Sequence, residues 1–296
     1  LLGILAISFS GSYNLQALAN RISPTYALIF TPLLYLIIGP FFAIPHTVNM
    51  AFEVGLTPFL SEGHHQVGFL IFTIVFFATT LLCSLHLKNL VKNVGVFLTA
   101  GIVILLSLLL FMVIIRPPGA MQSPIGAYSV NPLVTGILDG YNSMNALISL
   151  IFVMVVIHVI RSIGIKSKKG ILRATTISGL IAVTLLGAAY IGIAYMGAAS
   201  GEAFGIIDGN GETLFNNIIS HYFIGSDGFI LLAILVTLAS LATAIGLTTA
   251  CAAYFSTFIP KYSYKTNVVL FSVLTFMITS FGNIVIFSVP ILTFLY

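Results

Sequence analysis

The sequence predicts an all-α polytopic membrane protein, and three observations carry that reading. Hydrophobic types make up 59% of the 296 residues and charged types 6%, where a soluble domain carries about 25% charged residues. The apolar residues form continuous runs rather than an alternating pattern, which excludes a transmembrane β-barrel. The few cations also sort to one side of those runs, as they do across a bilayer. At about 20 residues per span, the chain has room for roughly nine or ten helices.

The first run, residues 1–9, is a helix stump, and the last breaks off at Tyr296. The chain therefore reads as a fragment lacking both ends. The second span covers about 26–47 and carries Gly39-Pro40 and Pro45; the third covers 68–85 and the fourth 94–115. The fifth runs over 131–160, the sixth over 177–198, the seventh over 229–254 and the eighth over 268–279; a ninth begins near 284.

Alternating spans place Arg21, Lys88, Lys92, Arg161, Lys166, Lys168, Lys169, Arg173, Lys261 and Lys265 on one side and Arg116 alone on the other. The cation-rich side is cytoplasmic. Glu62, Glu202, Asp208, Glu212 and Asp227 all fall outside, in agreement with the same count. The net charge of +4 rests on eleven Lys and Arg, too few to build a basic face for nucleic acid. Cys83 and Cys251 lie in or beside apolar runs and read as small core residues rather than a disulfide framework. In the outer loop 201–228, Leu214-Phe215, Ile218-Ile219 and Tyr222-Phe223 recur at helical spacing. They predict an amphipathic helix lying on the outer face, as a cover or as a plain surface helix.

The polar residues of the fifth span are the informative ones. As one straight helix, residues 131–160 would extend ~45 Å against a hydrocarbon core of ~30 Å. Gly136, Asp139, Gly140, Asn142, Ser143 and Asn145 fall in its first half. Gly140 weakens a helix, and Asn142 or Ser143 can cap a new one. Two half-helices joined by an unwound stretch over 139–142 are expected. Such a break survives at membrane depth only inside protein or beside a wet cavity. Its carbonyl end would attract an ammonium group, and its amide end an anion. A carboxylate at that depth costs roughly 2.5–3.5 kcal/mol, so Asp139 needs a partner. A kinked helix whose Asp139 bonds a neighbouring hydroxyl is the plainer alternative.

A second polar cluster lies at 239–249, where Ala239, Ser240, Thr243, Thr248 and Thr249 punctuate the seventh span. Close helix packing explains small residues there; a sodium site of hydroxyl and carbonyl oxygens explains them too. His46 and Glu53 read as facing an outer vestibule, and His64-His65 as a surface pair. No H-E-x-x-H, G-x-S-x-G or Walker pattern is present, so neither an enzyme nor a bound cofactor is expected.

Four strings carry a resemblance. They are Gly39-Pro40-Phe41-Phe42-Ala43-Ile44-Pro45-His46-Thr47 with Ala51-Phe52-Glu53, and Gly140-Tyr141-Asn142-Ser143-Met144-Asn145. Ala242 to Ala252 and Ser288 to Tyr296 complete the set. In order and over the whole chain, they resemble the bacterial branched-chain amino acid–cation symporters. The resemblance implies a carrier in the bacterial inner membrane that imports leucine, isoleucine and valine with Na+, or with H+. The partners it implies are that substrate and the bilayer, with no obligate protein partner. It further implies the LeuT-like fold of two inverted five-helix repeats, truncated here to residues 1–127 and 128–296. On that mapping the broken fifth span is the family's sixth helix. Gly136, Asp139, Gly140, Tyr141, Asn142, Ser143, Met144, Asn145 and Ile148 are its candidate substrate residues, and Ala239 and Thr243 its candidate sodium ligands. His46, Asn145 and Ala253 stand where the family pattern carries charged residues. A carrier of another small neutral amino acid, or a transport-inactive membrane sensor, would fit the same fold.

Overall fold

A computed structural model describes residues 2–10, 14–85, 96–143, 145–205, 211–222 and 227–281. Helix α1 (Leu2–Ser10) leads to α2 (Leu15–Ala19), whose start is capped by the Asn14 side chain accepting from the Ala17 amide at 2.8 Å. Pro24 opens α3 (Pro24–Leu36), where a missing amide costs nothing. The chain then passes through a π-helical segment (Ile37–Ala43) into α4 (Ile44–Gly55). The wider π turn carries Pro40, whose nitrogen has no hydrogen to give. The second span is therefore continuous from Pro24 to Phe59, longer than the expected 26–47. His46 and Glu53 project from α4 as exposed side chains on a helix rather than from a segment beyond it.

Next come α5 (His65–Ser84) and α6 (Thr99–Ile115), then the short α7 (Ala127–Val130). The fifth span consists of α8 (Pro132–Asn142) and α9 (Asn145–Ser162). Helix α10 (Lys168–Phe204) is capped by the Ser167 hydroxyl accepting from the Gly170 amide at 3.1 Å. It ends at Gly205, whose φ of +72° suits a residue without a Cβ. Helices α11 (Gly211–Tyr222), α12 (Asp227–Phe258) and α13 (Tyr264–Phe281) complete the described chain. Among the described residues, six helices are long and apolar enough to cross a membrane. The expected stump and eighth span correspond to α1 and α13, and the ninth lies outside the described residues.

Helix α12 is the centre of the bundle. It packs against α4, α5, α6, α9 and α13, and every residue from Ala244 to Phe255 is buried. Small side chains let backbones approach closely where lipid supplies no hydrophobic drive. A Cβ on Gly55 would lie 3.3 Å from the Ala233 Cα, and one on Gly39 only 2.5 Å from the Cys251 sulfur. These contacts pair the end of α4 with the start of α12, so the two helices run antiparallel. The Tyr35 and Tyr254 rings stack at 4.2 Å beside them. Tyr35 also donates to the Ile151 carbonyl of α9 at 3.1 Å, and Tyr254 to the Gln16 amide oxygen at 2.5 Å. Three helices and α2 are thereby locked together at polar points inside an apolar core.

A smaller core lies at the end of the bundle that carries α11. Ile218 and Ile219 of α11 are fully buried against Val54, Leu109, Val113, Met196, Leu232 and Leu235. Each such isoleucine contributes roughly 1.5–3 kcal/mol of burial, enough to seat this amphipathic helix on the bundle. Phe223 of the expected pattern lies outside the described residues.

Candidate functional site

The fifth span comprises two helices, and the stretch expected to unwind, 139–142, is helical. Helix α8 continues through Asp139 and Gly140 to Asn142, Ser143 forms a turn, and α9 begins at Asn145. The carbonyls of 136–138 are therefore engaged within α8, and that of Asp139 accepts the Ser143 amide at 3.0 Å. The Ser143 hydroxyl folds back onto the Gly140 carbonyl at 2.6 Å. The helix ends that flank this junction lie one turn later than the stretch expected to unwind. They are the carbonyl end of α8 at Asn142 and the first amides of α9, from Asn145 onward, which have no acceptor within their own helix.

Side chains line this gap. Asn145 donates to the Ser143 hydroxyl at 2.9 Å and to the Tyr190 hydroxyl of α10 at 3.1 Å. Asp139, one turn before the gap, accepts from the Tyr128 hydroxyl at 2.6 Å. That is the neighbouring hydroxyl the plainer reading asked for. The bond to Asp139 holds the Tyr128 phenol above its ordinary range, so it remains a donor. Tyr128 sits on α7, which folds against α8, and the Thr135 hydroxyl reaches back to the Ala127 carbonyl at 3.3 Å.

Helix α8 is exposed along its length. A Cβ on Gly136 or Gly140 would meet nothing within 4 Å. Tyr141 is 54% exposed, whereas Ile148 packs on the main core. Met144 lies outside the described residues. On the far side of the gap α1 approaches closely: a Cβ on Gly3 would stand 3.1 Å from the Ala146 carbonyl.

In the second polar cluster, on α12, Ala239 and Thr243 are half-buried and Ser240, Thr248 and Thr249 are buried. The Thr243 hydroxyl donates to the Ala239 carbonyl at 3.0 Å, a bond back along the helix. Two oxygens so placed can both face one hard cation once the hydroxyl hydrogen turns aside. Helix α12 meets α9 below that point, where a Cβ on Gly246 would lie 2.8 Å from the Phe152 ring. The Asp139 and Asn145 side chains bond Tyr128, Ser143 and Tyr190, while the Thr243 hydroxyl bonds within α12. Among the described residues, no group of three His, Cys, Asp or Glu suits a transition metal.

Sequence reasoning missed Tyr128 and Tyr190. Tyr190 shares its apolar run with Ser178, Thr184 and Tyr195, and Tyr128 lies in a loop, so neither carried a distinguishing signal. Of the positions that depart from the family pattern, Asn145 bridges Ser143 and Tyr190, Ala253 is buried, and exposed His46 lies 5.8 Å from the Phe42 ring.

A sequence profile described as branched-chain amino acid transport protein matches residues 1–296. Two permeases of Bacillus subtilis named for branched-chain amino acids, BrnQ and BraB, are each 38% identical over the whole chain. The branched-chain amino acid transport system 2 carrier protein of Pseudomonas aeruginosa is 36% identical, again over the whole chain. The chain covers 67%, 66% and 67% of these relatives in turn, about two thirds of their length. They are named as permeases and carriers, not as enzymes. No solved structure matches the chain.

Proposed function

The chain belongs to the branched-chain amino acid transport protein family, and on that premise we propose a secondary carrier importing leucine, isoleucine and valine by alternating access. Na+ is the coupling ion in this reading, with H+ the alternative, and the bacterial inner membrane is its location. The observation that carries the proposal is the interrupted fifth span, with Asp139 one turn before the gap and Asn145 at its far side. The α8 carbonyl end and the Asp139 carboxylate take the substrate ammonium. The first amides of α9, with Ser143 and Asn145, take its carboxylate. Gly136 and Gly140 keep the approach to that gap open; Tyr141, Asn142, Met144 and Ile148 border the aliphatic side chain. Ala239 and Thr243 hold Na+.

The antiparallel pairings support an inverted repeat of residues 1–127 and 128–296. The span through α3 and α4 packs on α12 in the opposite sense. Helix α5 does the same with α13, where Tyr264 at the start of one helix donates to the Ser84 carbonyl at the end of the other at 2.7 Å. Elements equivalent under inversion cross the membrane in opposite directions. The test is uptake of labelled leucine by a host that lacks its own branched-chain carriers. Concentrative uptake that needs an inward Na+ gradient, and that isoleucine and valine compete away, is expected. Uptake indifferent to both Na+ and pH gradients, or competed better by another neutral amino acid, would reject the proposal.

A further inference from the structure

A cavity of about 680 Å³ opens on the outer side between the loop after α6, the end of α10 and helix α11. Its size falls in the range of small-ligand sites, roughly 300–1,000 Å³. Three ties fix its walls. The Glu202 carboxylate on α10 accepts the Ala120 amide, and the Gln122 amide donates to the Ala198 carbonyl at 3.4 Å. The Tyr222 hydroxyl of α11 donates to the Arg116 carbonyl at the end of α6. Pro124, Ile125 and Leu214 give the cavity an apolar lining, and Gln122, Ser123 and Tyr128 bring polar groups into it. Tyr128 is the connection inward, since the same hydroxyl holds Asp139 on the helix leading to the gap.

We propose that this cavity is an outer holding site for a branched aliphatic amino acid. The site is separate from the gap between α8 and α9, and the Tyr128–Asp139 pair is the hand-over point between them. The inference rests on the transport reading and extends it. The apolar lining suits an aliphatic side chain. A carboxylate beside a neutral phenol suits an ammonium, with the Gln122 side-chain amide and Ser123 hydroxyl able to meet the substrate carboxylate.

Two measurements test it, both on the protein in membranes. Gly197 lines the cavity, and a Cβ there would have only the Leu214 Cδ2, at 4.0 Å, as a neighbour. Gly197→Phe therefore places a bulky side chain at an uncrowded position on the cavity wall. It is expected to raise the half-saturating leucine concentration about tenfold while leaving the maximal rate within twofold. An unchanged half-saturating concentration, or a fall in maximal rate alone, overturns the proposal. In the second measurement Ser123→Cys is labelled with a membrane-impermeant thiol reagent. Leucine is expected to slow the labelling several-fold, and Gly197→Phe to abolish that protection. Labelling indifferent to leucine overturns the holding site even where uptake is intact. Protection without any uptake would keep the site and reject the transport reading.

Discussion

Adding one methyl group at Gly39 is expected to loosen the contact on which α12 is seated. The new carbon would sit 2.5 Å from the Cys251 sulfur, about 1 Å inside the 3.5–4.0 Å of ordinary contact. Cys251 has no exposed surface, and its thiol donates to the Tyr35 carbonyl at 3.3 Å, so the sulfur has little room to retreat. Overpacking of this kind costs about 1–3 kcal/mol. Cys251→Ala removes the opposing atom, and the double substitution Gly39→Ala with Cys251→Ala places a methyl where the sulfur stood. The double variant is expected to be more stable than Gly39→Ala alone, with a coupling of about 1 kcal/mol or more. The assay is the fraction of protein that stays monodisperse in detergent after heating, compared across the four members of the cycle. A Gly39→Ala variant as stable as wild type, or strictly additive effects, would refute a close contact between the π-helical segment and α12.

Other consequences concern the site directly. Asp139→Asn keeps an acceptor for the Tyr128 hydroxyl but removes the charge. It is expected to raise the half-saturating leucine concentration at least tenfold, and wild-type uptake would count against an ammonium partner here. Thr243→Val should raise the half-saturating Na+ concentration about tenfold, equivalent to ~1.4 kcal/mol, while Thr243→Ser restores it; unaltered Na+ dependence would remove this residue from the ion site. Tyr190→Phe takes away one of the two acceptors of Asn145 and is expected to weaken leucine binding by about 0.5–1.5 kcal/mol, read as the shift in half-saturation. Ile218→Ala empties a fully buried position and should cost about 2–5 kcal/mol. Limited proteolysis from the outer side would then cut near α11 sooner than in wild type.

The span order was legible because composition and loop charge depend on the bilayer and not on tertiary detail. The division of the fifth span into two helices was legible from Gly140, Asn142, Ser143 and Asn145 within six residues, but the stretch 139–142 expected to unwind is helical. Two glycines cost a helix only about 1 kcal/mol each, and α8 absorbs both Gly136 and Gly140. At its end the Ser143 hydroxyl turns back onto the Gly140 carbonyl, a local bond that sequence spacing does not order. The second span showed the converse. It was expected to end near Thr47, yet the π turn accommodates Pro40 and the helix continues. Val48, Ala51, Phe52 and Val54 give α4 a buried face that holds it on the bundle. The tyrosines that complete the polar contacts, Tyr128 on Asp139 and Tyr190 on Asn145, come from elements folded back in space, and no local pattern announces them.

The claim on which the rest depends is that main-chain groups exposed between α8 and α9 hold the cargo. Hydrogen–deuterium exchange of the peptide over residues 140–150, in membranes with and without leucine, examines those groups directly. Leucine should slow exchange at the first amides of α9 by about tenfold or more, with Na+ strengthening the effect. Exchange there that is the same with and without leucine, in a protein that still takes leucine up, would place the substrate elsewhere.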